Sequence, residues 1–190
     1  MSAYYTDKTF IHKDFTTEIL QAGEYENCIF DQCNFSYCDL SEYRFRECTF
    51  KGCNLSLAIF KQTVIADCKF TGCKLMGLRF DSCNTFGLSF SFENCVLDNS
   101  SFFKLKLKKT RFKDCKMQET DFAECDLTEA VFNNCDLLNA IFDSTTLNKA
   151  DLRTAFNFSI NPEQNNIKKA KFSINGLPGL LGKYDIEIEQ

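Results

Sequence analysis

The sequence contains no tryptophan, one histidine and two prolines. Each shortage removes a class of function. A single histidine, His12, cannot build a histidine metal cluster and gives no secure Ser–His–acid set. It lies beside the N-terminal tail and reads as a solvated side chain. No Gly-rich loop is present to cradle a phosphate. A basic excess is missing too: the formal net charge is −4 and the pI about 5.1, which argues against a general nucleic-acid binder. Met1 to Lys8 lack the apolar run of a signal peptide, and no window approaches the ~18 apolar residues of a membrane span. With no export signal, twelve cysteines are expected to be reduced thiols of a cytoplasmic protein.

What is present is skewed. There are 21 phenylalanines and 12 cysteines, a ratio from which ordinary helical domains are not built. They fall into one repeat. Large apolar residues recur every five positions from Phe10, Phe15, Leu20 and Tyr25 through to Phe90, with Thr85 the single polar exception. After a two-residue slip near Ser91 and Phe92, the series resumes at Leu97 and Phe102 and runs to Leu152. All twelve cysteines sit two residues before such a centre, a position otherwise held by small residues such as Ala58, Ser100 and Thr110.

In extended backbone, residues two apart share a face, so each centre and its small predecessor point the same way. A period of five is neither helical nor strictly alternating. It fits short extended pieces joined by turns, and four pieces would close a square coil of about twenty residues. Reading down the sides supports that number. Phe30, Phe50, Phe70, Phe90, Phe112 and Phe132 fall on one side; Phe35, Leu55, Leu75, Leu97, Met117 and Leu137 fall on the next. The slip is counted as an insertion. Roughly seven coils at the ~4.8 Å spacing of adjacent strands give a rod on the order of 35 Å long. The expected class is all-β: an N-terminal tail over 1–8, a parallel β-helix over 9–158, and a C-terminal capping segment over 159–190 with a short helix and an edge strand.

The units Ala150-Asp151-Leu152, Cys38-Asp39-Leu40, Cys125-Asp126-Leu127 and Cys135-Asp136-Leu137 resemble those of the pentapeptide-repeat family. That resemblance implies a right-handed quadrilateral parallel β-helix. The tail from Asn161-Pro162-Glu163 to Gly179-Leu180-Leu181 is similar to the C-terminal segment of many bacterial members, among them the Qnr-type quinolone-resistance proteins. For this chain the similarity implies binding to a type II topoisomerase, DNA gyrase or topoisomerase IV, by mimicry of DNA. It also implies a homodimer joined through the C-terminus, with Leu177, Leu180, Leu181 and Ile186 as the contact.

The remaining features are weighed as surface. The cysteines form stacked ladders without a His cluster or paired CxxC, and read as small buried hydrophobes; neither a metal nor a cofactor is called for. General acid–base chemistry needs a pocket that shifts pKa values, and an interior of Phe and Leu leaves none, so no enzyme is expected. Residues 104–116 are rich in lysine and 117–151 in acid. At a twenty-residue offset Lys104 meets Glu124, Lys106 meets Asp126, Lys109 meets Glu129 and Lys116 meets Asp136. Glu119, Asp121, Asp143 and Asp151 have no such partner in the preceding coil and are the candidate partner-facing acids. Phe86, Phe92 and Phe103 fall outside the inward series and are the candidate apolar contact. Two functions follow: a topoisomerase-binding protector conferring quinolone or toxin resistance, or a structural or adaptor scaffold for an unrelated protein.

Overall fold

Three or four extended residues and a turn are all that one five-residue unit can form, so no strand of the protein is long. The computed structural model describes residues 3–189. It is a parallel β-solenoid of about seven turns with a short C-terminal helix. Strands Ala3–Thr6, Gly23–Glu26, Arg44–Arg46 and Val64–Ala66 stack in one sheet. A seven-stranded sheet on the neighbouring side runs from Thr9–Ile11 through Ile29–Asp31, Thr49–Lys51, Cys68–Thr71, Phe90–Glu93 and Arg111–Lys113 to Val131–Asn133. The other two sides are reduced to single bridges such as Asn34↔Asn54 and Ser101↔Asp121. The four sides are named here by their centres, in chain order: the Phe10, Phe15, Leu20 and Tyr25 faces.

Aromatic columns fill the interior. On the Phe10 face, ring centroids are 4.9 Å apart from Phe10 to Phe30 and from Phe30 to Phe50, and the planes are within 10° of parallel. A second column runs Phe80, Phe102, Phe122, Phe142, and meets the first edge to face, as where Phe112 and Phe122 lie 6.0 Å apart at 78°. Both arrangements are favoured by the ring quadrupole.

The small position two residues before each centre is also a donor site. Cys53 Sγ donates to the Phe30 carbonyl in the coil above at 3.2 Å, and Thr63 Oγ1 to the Leu40 carbonyl at 2.7 Å. Cysteine therefore suits this position by size and by its weak S–H donor.

Corners are made two residues after each centre. At most of them, though not at Thr17, Ala22, Ser82 or Thr154, the backbone is left-handed, with φ from +51° at Asn27 to +70° at Gly87, and most of these residues are not glycine. That conformation costs a Cβ-bearing residue roughly 1–2 kcal/mol. The corner N–H recovers a ladder bond to the next coil, as from Lys104 N to Ala123 O at 3.0 Å.

Three boundaries differ from the sequence expectation. The first eight residues are not a tail: Ala3–Thr6 pairs in parallel with Gly23–Glu26, and Tyr5 stacks on Tyr25 at 4.9 Å. Ladder bridges continue past residue 158, to Asn166 under Thr146 and Lys171 under Asp151. The insertion lies before Phe90 rather than at Ser91 and Phe92: Cys68 pairs with Phe90 and Phe70 with Phe92. Phe92, not Phe90, therefore continues the Phe70 column, 5.3 Å from Phe70 and 5.5 Å from Phe112. The extra residues bulge out as the loop Asn84–Ser89, and the four-stranded sheet ends at Val64–Ala66 because this loop takes the place of its next strand.

The last coil is closed by a helical turn at Pro178–Leu181 between 3-10 turns at Ile174–Gly176 and Gly182–Tyr184. The alternation of Tyr184, Ile186 and Ile188 makes no edge strand, since residues 185–189 have no regular structure. No helix among the described residues is long and apolar enough to cross a membrane.

Candidate interaction surface

With every inward position occupied by a packed side chain, the chemistry of this chain lies on its four outer faces. Each face shows the residues before, after and two after its centres. The four candidate acids do not share one of them. Asp121 and Asp143 flank Phe122 and Phe142 on the Leu20 face, and Glu119 is an exposed corner residue at the edge of that face. Asp151 flanks Leu152 on the Phe10 face, on the opposite side of the rod. Asp121 Oδ1 accepts from Ala123 N at 2.9 Å, which turns its carboxylate along the chain.

Asp151 has a cation of its own. Arg153, two residues on and outward on the same face, brings Nη2 to 2.6 Å from Oδ2 and Nε to 2.9 Å from Oδ1. This fork holds the Asp151 carboxyl below the usual carboxylate range. Asp151 is therefore withdrawn from the partner-facing set, its cation lying in its own coil and not in the coil above.

Two of the four expected intercoil pairs form: Lys104 with Glu124 at 3.3 Å and Lys109 with Glu129 at 3.9 Å. The other two exchange partners. Asp126 takes Lys108 at 3.2 Å instead of Lys106. Lys116 reaches up to the buried Asp98 at 2.9 Å, leaving Asp136 to the amides of Gln118 at 2.7 Å and Asn157 at 2.8 Å. Exposed pairs of this kind contribute about 0–1 kcal/mol each, so their main effect is on coil register.

The three candidate phenylalanines are not one patch. Phe92 is fully buried, Phe103 is half-buried with the Lys104 ammonium 4.7 Å above its ring, and Phe86 projects from the insertion loop at 89% exposure. At the C-terminus, Leu180 packs against the core, whereas Leu177 and Ile186 are exposed. Leu177, Leu181, Ile174, Pro178 and Ile188 line an apolar groove of about 460 Å³.

His12 is an exposed corner residue at φ +52°. No group of three or more His, Cys, Asp or Glu among the described residues is arranged to hold a metal ion. Cys38 alone of the twelve thiols is not fully buried. Burial raises its pKa above that of a free thiol, which slows its reaction. Brief treatment of the native protein with iodoacetamide should therefore give one slow adduct, mapped by mass spectrometry to Cys38, and the other thiols should label only after unfolding. Several fast native adducts would refute the sealed interior.

Two family models match: "Pentapeptide repeats (8 copies)" over residues 28–65 and 38–77, and "Pentapeptide repeat region" over 88–172. The stretch between them, 78–87, contains most of the insertion loop. Among solved structures, the chain resembles full-length QnrB1, a plasmid-mediated fluoroquinolone resistance protein, with 16% identity and a TM-score of 0.53 over 97% of this chain and 100% of the other. It also resembles HetL, a pentapeptide repeat protein involved in heterocyst differentiation regulation from the cyanobacterium Nostoc sp. strain PCC 7120. There the identity is 15% and the TM-score 0.50, over 90% of this chain and 84% of the other. Likeness at such identities speaks for the fold alone. No curated protein matches the sequence.

Proposed function

The chain belongs to the pentapeptide-repeat proteins, and from that membership we propose a non-catalytic protein-binding rod whose partner is a type II topoisomerase, DNA gyrase or topoisomerase IV, engaged where that enzyme holds DNA. The observation that carries the binding class is the filled interior: Phe30, Phe80, Phe102, Phe112, Phe122 and Phe132 are buried to at most 0% exposure, so the outer faces alone are free to act. The topoisomerase is supported by the rod shape, by the similarity to Qnr-type proteins, and by Glu119, Asp121 and Asp143 grouped on and beside one face. A homodimer would carry twice the net charge of −4 on an elongated body. A cationic DNA channel attracts such a body, and added salt screens the attraction. Protection against a quinolone or a toxin would follow from occupying that channel.

Substituting Glu119→Gln, Asp121→Asn and Asp143→Asn together should weaken gyrase binding on the order of tenfold at low ionic strength, mainly through the on-rate. Melting should be unchanged, since asparagine at 121 still accepts from Ala123 N. Asp151→Asn should have little effect on binding. The measurement is surface plasmon resonance with purified gyrase, paired with a supercoiling assay with and without a quinolone. If the parent protein neither binds at low salt nor alters supercoiling or drug sensitivity, the scaffold reading stands instead. The neutralised pairs Lys104–Glu124 and Asp151–Arg153 already favour that second reading, because they break the continuity of an acidic stripe.

A further inference from the structure

One edge of the rod departs from the rule that governs the other corners. Among the described residues with positive φ, all are glycine, amide, acid, lysine, serine or histidine except Tyr37 at φ +60° and Leu57 at φ +57°. These two occupy the same corner one coil apart, between the Phe15 and Leu20 faces. Left-handed backbone favours glycine and asparagine, so neither large apolar side chain has a local reason to be there. Both face water, Tyr37 at 73% and Leu57 at 47% exposure. Beside them on the same edge stand Ile19 at 94%, Ile59 at 49% and Met76 at 41%. Single exposed apolar residues are ordinary, whereas exposed apolar residues along one edge in four successive coils mark an interaction surface. Its first end opens into a depression of about 310 Å³ lined by residues that include Phe15, Ile19, Tyr37, Cys38 and Leu40.

We propose that this edge docks an amphipathic α-helix of another protein, lying along the rod axis with an apolar side chain anchored in that depression. The spacing selects the helix. Coils repeat at about 4.8 Å and helical turns at about 5.4 Å, so residues i, i+4 and i+7 of the partner meet successive coils with about 0.6 Å of mismatch per step. Same-face residues of an extended strand recur at about 6.8 Å and fall out of register by about 2 Å per step. Charge selects the direction. Asp14, Asp39 and Glu42 stand in the first two coils of the strip and Lys74 in the fourth, with Lys61 between them acting on Asp39. The positive N-terminal end of a helix therefore lies over Asp39 and Glu42, and its negative C-terminal end over Lys74. The acids assigned to the topoisomerase lie in later coils, so this site stands independently of that reading.

The probe is a stapled helical peptide of about 14 residues, roughly 21 Å long, with leucines at i, i+4 and i+7, lysines in its first turn and glutamates in its last. Isothermal titration should give a Kd on the order of tens of micromolar, and the bound peptide should slow alkylation of Cys38. A peptide with the two end charges exchanged should bind at least about tenfold more weakly. The double variant Tyr37→Asn, Leu57→Asn should also lose at least about tenfold in affinity. Asparagine suits a left-handed corner, so this variant should fold with an unchanged or higher melting midpoint. The proposal is overturned by absence of binding, by binding that the double variant leaves intact, or by sedimentation showing that the edge joins two copies of this chain.

Discussion

Replacing Phe112 with alanine should destabilise the protein by about 3–5 kcal/mol and make its two halves unfold in separate transitions. Phe112 is completely buried, with the Phe92 ring 5.5 Å above it and the Phe132 ring 5.0 Å below, both nearly parallel. Phe102 and Phe122 close on it edge to face, each at 6.0 Å. Removing the ring leaves a cavity that backbone ladders on both sides prevent from collapsing. A solenoid holds together through nearest-neighbour contacts, so a cavity in a middle coil weakens the coupling between the halves as well as the coil itself. Urea melts followed by circular dichroism measure both effects. Phe112→Leu, which refills most of the space, should cost less than Phe112→Ala, and Phe86→Ala should fall within about 0.5 kcal/mol of the parent because that ring lies in water. A Phe112→Ala protein that melts at the parent midpoint would show that the aromatic column is not what holds the coils.

That column also shows how much of the fold is legible in the sequence. A five-residue period with small residues two before each centre has few physical solutions, and strand spacing then sets the coil. The period does not locate an insertion that lies next to two phenylalanines two residues apart. Phe90 and Phe92 fit the Phe70 column equally well by composition; only the pairing of Cys68 with Phe90 decides between them. The first strand was within reach, since Ala3 and Tyr5 form one more small-x-large unit five residues before Phe10. The surface is less legible because its pairing is not confined to the twenty-residue offset. Asp151 finds Arg153 within its own coil, and Lys116 chooses Asp98 above it over Asp136 below. Tyr37 and Leu57 stand out only once the corners are known to be left-handed, because an exposed tyrosine or leucine in a linear sequence looks like any other.

The C-terminal cap seats Gly176 and Gly179 against Phe158, and Gly179→Val should release it. Gly179 lies in a helical turn, so its role is close approach rather than unusual backbone. A Cβ there would sit 2.4 Å from the Phe158 carbonyl oxygen and 2.8 Å from two of its ring carbons. The oxygen belongs to backbone and cannot swing away, and the Phe158 ring is held against Phe172 at 5.6 Å. The turn must lift instead, breaking the bond from Ile160 N to Gly179 O and uncovering Phe158, Phe172 and Leu180. A clash of this size costs about 1–3 kcal/mol or more, which is large against the few contacts that dock residues 173–189. Limited proteolysis should then cut this segment much faster than in the parent while the coils stay intact. The same lift dismantles the groove formed by Ile174, Leu177 and Leu181, through which we propose the homodimer is joined. In sedimentation velocity, Gly179→Val should be monomeric or aggregated at concentrations where the parent is a dimer. Leu177→Lys, which leaves the turn docked because Leu177 points outward at 45% exposure, should give a clean monomer. A Gly179→Val protein that stays dimeric with its tail cleaved would place the interface on the coils, and a monomeric parent would remove the dimer altogether.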